Sequence, residues 1–462
     1  MNESTRPLPP ARPRFKPYPA YKDSGVEWLG EIPEHWEVRR LKTIASVQLS
    51  NVDKKSVEGQ ESARLCNYVD VYYNDRIGPD LDFMAATATL EQVRRFSLHA
   101  GDVLITKDSE SWTDIAVPAV VTSDLPDVLC GYHLALVRPA SDCDGAFLAR
   151  AFSAIGPRDQ FQVAANGITR FGLGGDAIQT GLFATPPVPE QRAIAAFLDQ
   201  ETKRIDALVA KKERLIELLQ EKRTALITRT VTKGLDPNVP MKDSGVEWLG
   251  EIPAHWEAVR VKHTLVDKIS GPFGSSLTKD SYAGSTYRVY GQEQVIPGDF
   301  TLGDYYIPES KFRTMKRYAV QAGDVLLSCV GTFGRAAVVP EGIEPGIINP
   351  RLILLRPDRS VIVPAYLELF LKSELSFAQM DEISRGGTMD IINLSMISAL
   401  SMPLPPKLEQ QAILEAARVE GTRIDDLLAK IRDAIARLTE LRTALISAAV
   451  TGKIDVREEA TA

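Results

Sequence analysis

One stretch of this sequence is written twice. Residues 22–42 and 242–262 are identical at 17 of 21 aligned positions, including the strings KDSGVEWLGEIP and HWE. Identity of this kind at a fixed separation indicates an internal duplication, and it limits the possible folds more than any other feature of the chain. A chain of 462 residues is also too long for one hydrophobic core. We therefore predict two related halves.

The likeness continues beyond this opening segment, but unevenly. The order is A-B-A′-B′, where A is a mixed segment of about 160 residues and B is a helix. By contrast, residues 46–100 and 265–321 share almost nothing, so a constant frame carries two different inserts. The shared strings of the frame are AGDVLI and AGDVLL (100–105, 322–327), LVRP and LRP (136–139, 355–357), and RID followed by RTALI (204–227, 423–446).

The B segments read as long helices. No glycine or proline occurs between Pro189 and Gly234, and apolar residues recur at spacings of three and four. Four to five heptads with charged flanks predict a coiled coil. If the two A segments lie at opposite ends, the helices pair antiparallel about a pseudo-twofold axis. The predicted seam is Leu198, Ile205, Leu208, Leu215, Leu219, Leu226, Ile424, Leu427, Ile431, Leu438, Leu441 and Leu445.

The A segments alternate short β-branched runs with turn signals, which predicts strands of a mixed sheet. Helices are expected only near residues 145–155 and 364–380. The predicted class is α+β, with two globular mixed α/β domains on a helical spine. The predicted divisions are a Pro-rich basic arm (1–20), a first domain (21–185), a central helix and linker (186–241), a second domain (242–404), and a C-terminal helix and tail (405–462).

Composition excludes some classes of protein. No run of 18 apolar residues occurs, so no membrane contact is expected. Four cysteines without C-x-x-C spacing predict free thiols in a reducing cytosol. The net charge of −7 disfavours nucleic-acid binding by the whole surface, but it leaves room for a local basic face.

No catalytic motif is present. The chain has no phosphate-binding loop and no H-E-x-x-H zinc motif. His35 and His255 repeat with their neighbouring tryptophans and are expected to be structural. An acidic group at Asp108, Glu110 and Asp114 resembles a nuclease metal site, but the second half does not repeat it. We therefore expect neither catalytic residues nor a metal.

The duplicated combination of KDSGVEWLGEIPxHWE, PxPxxEQ and RID…RTALI resembles the specificity subunit of Type I restriction–modification systems. The resemblance runs from about Tyr21 to Val456. The string GDVLITKDSESWTDIAVP looks like one class of target-recognition domain. In the second half, SGPFGSSL and GDVLLSCVGTFGRAAVVP look like another class.

The resemblance implies a non-catalytic DNA-recognition subunit without a cofactor of its own. Each of two target-recognition domains would read one half of a bipartite site in double-stranded DNA, and two antiparallel helices would set the spacer. Two methyltransferase (modification) subunits, which methylate adenine N6, would dock on the frame, and two restriction/translocase subunits would join them. S-adenosylmethionine, ATP and Mg²⁺ would be bound by those partners, in the cytoplasm at the bacterial nucleoid.

Candidate DNA contacts are polar residues on loops, since base edges and phosphates are read by such side chains. Lys107 could contact phosphate or guanine, and Asp108 or Glu110 could accept from cytosine N4. The first-half candidates are Lys107, Asp108, Ser109, Glu110, Trp112, Tyr132, His133, Thr169 and Arg170. The second-half candidates are Gly274, Ser275, Ser276, Thr332, Arg335, Asn349, Arg351 and Thr388.

Three alternatives stay open from the residues alone. A stand-alone DNA-binding regulator would bind tightly without partners. A nuclease using the acidic loop would cleave DNA with metal. A structural spacer would not need two diverged inserts on one frame.

Overall fold

The computed structural model describes residues 15–273, 276–277, 286–329, 335–384 and 392–459. The chain divides into two compact units. Unit 1 comprises residues 1–212 and 433–462, and unit 2 comprises residues 213–432. Both divisions fall inside a long helix, so each unit contains part of both.

Unit 1 is built from short strands and five short helices. The strands are β1 (Tyr21–Asp23), β2 (Glu31–Pro33), β3 (Glu37–Arg40), β4 (Ala45–Leu49), β5 (Glu61–Cys66), β6 (Arg76–Ile77), β7 (Met84–Ala88), β8 (Ser97–Leu98), β9 (Val103–Thr106), β10 (Asp108–Ser109), β11 (Pro118–Val121), β12 (Leu125–Cys130), β13 (Leu134–Pro139), β14 (Phe171–Gly172) and β15 (Leu182–Thr185). The short helices are α1 (Tyr68–Tyr72), α2 (Leu90–Phe96), α3 (Gly145–Ser153), α4 (Ile155–Ala164) and α5 (Gly175–Thr180), and α6 (Val188–Lys233) is the first long helix.

Two sheets organise unit 1. A five-stranded sheet has the order β4-β13-β9-β11-β6, and a four-stranded sheet has the order β7-β5-β12-β8. The central strand β9 is buried at every position, because both faces of its sheet are covered. Val103 and Ile105 face one hydrophobic core with α3 and the start of α6, whereas Leu104 faces a second core with β5 and β12. This alternation is the period-two pattern of a strand buried on both sides.

Unit 2 repeats this plan, with fewer strands among its described residues. Its strands are β16 (Met241–Asp243), β17 (Glu251–Pro253), β18 (Glu257–Arg260), β19 (Leu265–Ser270), β20 (Tyr287–Tyr290), β21 (Tyr306–Ile307), β22 (Val325–Ser328), β23 (Ala336–Val338), β24 (Gly346–Ile348), β25 (Leu352–Pro357) and β26 (Ser401–Leu404). Its helices are α7 (Gln292–Val295), α8 (Glu309–Thr314), α9 (Pro364–Leu371), α10 (Glu374–Ser384), α11 (Leu394–Ala399) and the second long helix, α12 (Lys407–Val450). The main sheet has the order β19-β25-β22-β23, which matches β4-β13-β9-β11.

Each of the two short helices predicted from the sequence is divided into two helices in the structure. The segment predicted at 145–155 forms α3 and α4, which are separated by the extended residue Ala154. The segment predicted at 364–380 forms α9 and α10. The mixed α/β class and the two long helices agree with the prediction.

The duplicated His-Trp pair holds the opening segment onto the start of a long helix. Glu190 accepts from Trp36 Nε1 at 3.0 Å and lies 2.8 Å from His35 Nε2. In unit 2, Glu409 accepts from Trp256 Nε1 at 3.0 Å and lies 2.8 Å from a nitrogen of the preceding histidine, His255. Both histidines are therefore structural, as predicted.

The two long helices run antiparallel within each unit. In unit 1, Arg442 of α12 contacts Asp206 of α6 with Nε 3.0 Å from Oδ1. In unit 2, Arg223 of α6 pairs with both oxygens of Asp425 of α12 at 2.8 and 2.7 Å. The Asp of each RID string thus meets the Arg of the RTALI string on the other helix, which explains why both strings are duplicated.

The helix seam is partly different from the predicted one. The predicted seam residues that are buried are Leu198, Ile205, Ile424, Ile431 and Leu445, and those that are half-buried are Leu219, Leu226 and Leu438. The exceptions are Leu208, Leu215, Leu427 and Leu441, which are 41%, 44%, 40% and 51% exposed. At each of these four positions the next residue is turned inward instead: Val209, Ile216 and Arg442 are half-buried, and Leu428 is buried.

Candidate nucleic-acid interface

Three loops meet at one end of the main sheet in unit 1. The loop after β9 and the loop before β13 are joined by the N–H of Lys107, which donates to the carbonyl of His133 at 3.0 Å. The N–H of Leu173 donates to the carbonyl of Lys107 at 2.7 Å and brings in the loop before α5. We call this end of a unit the recognition edge. The strands of one sheet thereby bring together candidate DNA-contacting residues that are far apart in the sequence.

A polar cluster lies at the recognition edge of unit 1. Asp108 Oδ1 lies 2.6 Å from His133 Nδ1 and 3.1 Å from Arg170 Nη2, and Asp108 Oδ2 lies 3.0 Å from Lys107 Nζ. The Lys107 ammonium also lies 4.5 Å from the centre of the Tyr132 ring. Five of the predicted contact residues therefore form one cluster. Such an arrangement orients cationic donors beside an aromatic face.

The loop that carries the cluster is fixed at its base by Thr106. The Thr106 hydroxyl donates to the carbonyl of Asp114 at 2.7 Å and accepts from the N–H of Val117 at 2.9 Å. Between them, the buried Ala116 has a φ of +60°. A non-glycine residue in this region costs free energy and persists where the surroundings hold it in place. The loop is therefore positioned by the sheet.

The other predicted residues of unit 1 surround this cluster. Glu110, Trp112 and Thr169 are exposed. Ser109 is buried instead, with its hydroxyl 3.2 Å from the Tyr68 hydroxyl. Ser109 therefore positions the loop and does not face solvent.

Three tyrosines beside the cluster were not predicted from the sequence as DNA contacts. Tyr68 stacks on Tyr72 with ring centres 5.5 Å apart, and Tyr72 meets Tyr73 edge-on at 5.0 Å. Tyr73 is strongly exposed, and the negative charge of Asp114 raises the pKa of Tyr72. Stacked aromatic rings are suited to contact with bases. The local signal was the aromatic density of YVDVYY at 68–73.

Unit 2 has an equivalent recognition edge. The N–H of Cys329 donates to the carbonyl of Arg351 at 3.0 Å, and the N–H of Ile392 donates to the carbonyl of Cys329 at 3.1 Å. Cys329 and Arg351 thus hold the positions of Lys107 and His133. Asn349 accepts from the N–H of Arg351 through its side chain at 2.8 Å.

The remaining unit 2 candidates are only partly described. Arg335 and Ser276 are exposed. Gly274, Ser275, Thr332 and Thr388 lie outside the described residues. The two recognition edges therefore share backbone connections, while their described side chains differ.

Comparison with known proteins agrees with this architecture. Residues 278–435 match the family described as the type I restriction modification DNA specificity domain. A putative type I restriction enzyme specificity subunit of Methanocaldococcus jannaschii, MjaX, is 23% identical over 436 residues, which are 93% of this chain and 96% of that protein. The EcoBI specificity subunit of Escherichia coli is 23% identical over 292 residues, covering 61% and 60% of the two chains.

Over nearly its whole length, the chain is therefore similar to the specificity subunits of type I restriction–modification systems.

Solved structures share the fold of this chain. A chain from a study of complex assembly and conformational transition of the type I R-M system aligns with a TM-score of 0.68 and 17% identity, over 91% of this chain and 98% of that chain. The HsdS subunit from Thermoanaerobacter tengcongensis aligns with a TM-score of 0.53 and 18% identity, over 92% and 98%. These alignments confirm the predicted fold class.

The acidic residues of the recognition edge do not form a metal site in the part of the chain that the structure describes. Within those ranges, no group of three or more His, Cys, Asp or Glu side chains could hold a metal ion. Asp108 is instead surrounded by cationic groups. Among the same residues, no helix has the length and apolar character needed to cross a bilayer.

The four cysteines of the chain are free and buried, in agreement with the sequence prediction of free thiols. Burial raises the pKa of each thiol, and that of Cys143 to about 12. A buried thiol with a raised pKa is a poor nucleophile and metal ligand. The cysteines are therefore packing residues.

Proposed function

We propose that each unit of this specificity subunit reads one half of a bipartite DNA target through its recognition edge. The observation that carries the proposal is that both edges are built on the same backbone connections but present different described side chains. Those are Lys107, His133 and Arg170 in unit 1, and Asn349 and Arg351 in unit 2. A shared scaffold with different readers is what two different half-sites require.

Two methyltransferase subunits dock on the long helices. Support comes from the leucines outside the helix seam, Leu208 and Leu441 in unit 1 and Leu215, Leu218 and Leu427 in unit 2, all of which are exposed. Leu208 and Leu427 hold the same position in the two helices, two residues after the Asp of each RID string. An exposed leucine that is present in both copies of the frame is expected of a surface that is covered by a partner. Because the frame is duplicated, it offers each of two identical partners an equivalent surface.

The specificity subunit is not itself the catalyst in this proposal. The methyltransferase subunits bind S-adenosylmethionine and transfer its methyl group to adenine N6. Restriction subunits that bind ATP and Mg²⁺ join through the methyltransferases. The role of the specificity subunit is to bind DNA, to fix the spacer between half-sites, and to hold its partners.

Reconstitution tests this function. The specificity subunit and its methyltransferase subunit would be co-purified and incubated with S-adenosylmethionine and a randomised DNA library. We expect a complex with two methyltransferases and adenine methylation within a single bipartite motif. Methylation without sequence preference, or tight sequence-specific binding by the specificity subunit while no methyltransferase associates with it, would contradict the proposal.

A further inference from the structure

Asp108 is not available to read a base, contrary to what its position in the sequence suggests. Its Oδ1 faces His133 and Arg170, its Oδ2 faces Lys107, and only 17% of its side chain is exposed. A carboxylate engaged by three donors has little capacity to accept from cytosine N4. Its geometry is that of a residue that orients its neighbours.

Lys107 is held back from solvent in the same way. Its side chain is 12% exposed, paired with Asp108 and placed over the Tyr132 ring. His133 is 23% exposed, with Nδ1 directed at Asp108. Neither is the outermost group of the cluster.

Arg170 is the member that reaches outward. Its side chain is 53% exposed, and its contacts with the described residues fall on Nη2 alone. Further N–H donors lie on Nη1 and Nε, and Nη2 carries two N–H groups. Paired with either Nη1 or Nε, Nη2 forms a fork of two parallel N–H donors that matches O6 and N7 of guanine in the major groove. The anchor at Asp108 restricts the side chain before DNA arrives, which lowers the ordering cost of binding.

We infer that Arg170 reads a guanine in the half-site of unit 1, with Asp108 and His133 as the positioning residues that aim its guanidinium. This inference rests on the proposed function and adds to it one base and the residue that reads it. Loss of a bidentate arginine–guanine contact lowers discrimination at that base pair by roughly 5- to 150-fold. Discrimination at the other base pairs is unaffected.

The test uses the complex of the specificity subunit with its methyltransferase. The DNA motif that the complex methylates would be determined by sequencing. The affinity of the complex would be measured for DNA that carries each single base-pair substitution in either half-site. R170A should relax one G·C position in one half-site and leave the other half-site intact. R170K keeps the charge but loses the fork, so it should relax the same position. D108N should relax it to a smaller degree and leave discrimination at the other positions of that half-site unchanged.

R40A is the matched control, since Arg40 is an exposed arginine of the same unit. It precedes β4, whose first residue pairs with Pro139 at the far end of β13 from His133. We expect R40A to keep the wild-type motif. An unchanged motif with R170A would overturn the inference, as would a uniform loss of affinity for all DNA, which marks a phosphate contact. A wild-type complex that shows no bipartite motif would instead contradict the proposed function.

Discussion

At the scale of single residues, the duplicated frame is a set of buried polar contacts. Arg138 pairs with both oxygens of Asp102 at 2.8 Å, and Arg356 pairs in the same way with Asp324 at 2.8 Å. Both carboxylates are 2% exposed. A buried charge that loses its partner is strongly destabilising. The GD and RP strings are therefore present in both halves because they supply this ion pair. Either half would be less stable without it.

Replacing Asp102 by Asn tests this role. Arg138 would face a neutral amide, and we expect the free energy of unfolding of unit 1 to fall by about 3 kcal/mol. Chemical denaturation followed by fluorescence measures it. D127N is the control, because Asp127 and Arg64 form a comparable but exposed pair, expected to contribute at most about 1 kcal/mol. Equal effects of the two substitutions would contradict the account.

The sequence analysis placed the polar candidates on loops, but Asp108 and Ser109 form β10, and the roles of the candidates were not predicted. Lys107, His133 and Arg170 come from three separate loops, and their convergence depends on the pairing of β9 with β13. Sequence proximity made Asp108 look like a base reader, whereas the fold surrounds it with cations. Burial and partners are properties of the tertiary structure, and local composition does not contain them.

At the scale of elements, the long helices were predictable and their seam was predictable only in part. Apolar residues at heptad spacing predict both helices, and the absence of glycine and proline between Pro189 and Gly234 supports the first; α6 and α12 have 46 and 44 residues. Which of two neighbouring residues turns inward depends on the partner helix. Polar residues such as Lys212 and Arg223 occupy the more buried register, while Leu208 and Leu427 lie outside it. Hydrophobicity alone therefore selected the wrong leucines.

The division between seam and docking surface is testable on one helix. L427E places a charge on the exposed surface of α12, so we expect at least tenfold weaker binding of one methyltransferase, with unchanged unfolding. I424A removes a buried seam residue and should lower stability by about 2–5 kcal/mol. Sedimentation with titrated methyltransferase and thermal unfolding measure the two effects. Unchanged binding by L427E would contradict docking at these leucines.

At the scale of the whole molecule, the duplication predicted the architecture correctly. Each unit has the same order of main strands, and each contains its own His-Trp-Glu contact and its own Asp-Arg pair. The inserts were not predictable in the same way. The Tyr68–Tyr73 cluster lies within residues 46–100, which have no likeness in the other half to compare with.

The helices are proposed to set the spacer, so their length should change the target. One heptad inserted in each helix, after Lys212 and after Arg432, preserves the register and lengthens both by about 10 Å. We expect the methylated motif to gain about three base pairs of spacer, with unchanged half-sites. Insertion in α6 alone should disrupt the helix pair and abolish methylation. An unchanged spacer in the protein with both insertions would contradict the proposal that the helices set the spacer length.

The most direct test of the central claim is the map of N6-methyladenine in the source genome, with and without this gene. The account predicts that deletion removes methylation from one bipartite motif and that restoring the gene brings it back. An unchanged methylation map, with the methyltransferase still expressed, would contradict it.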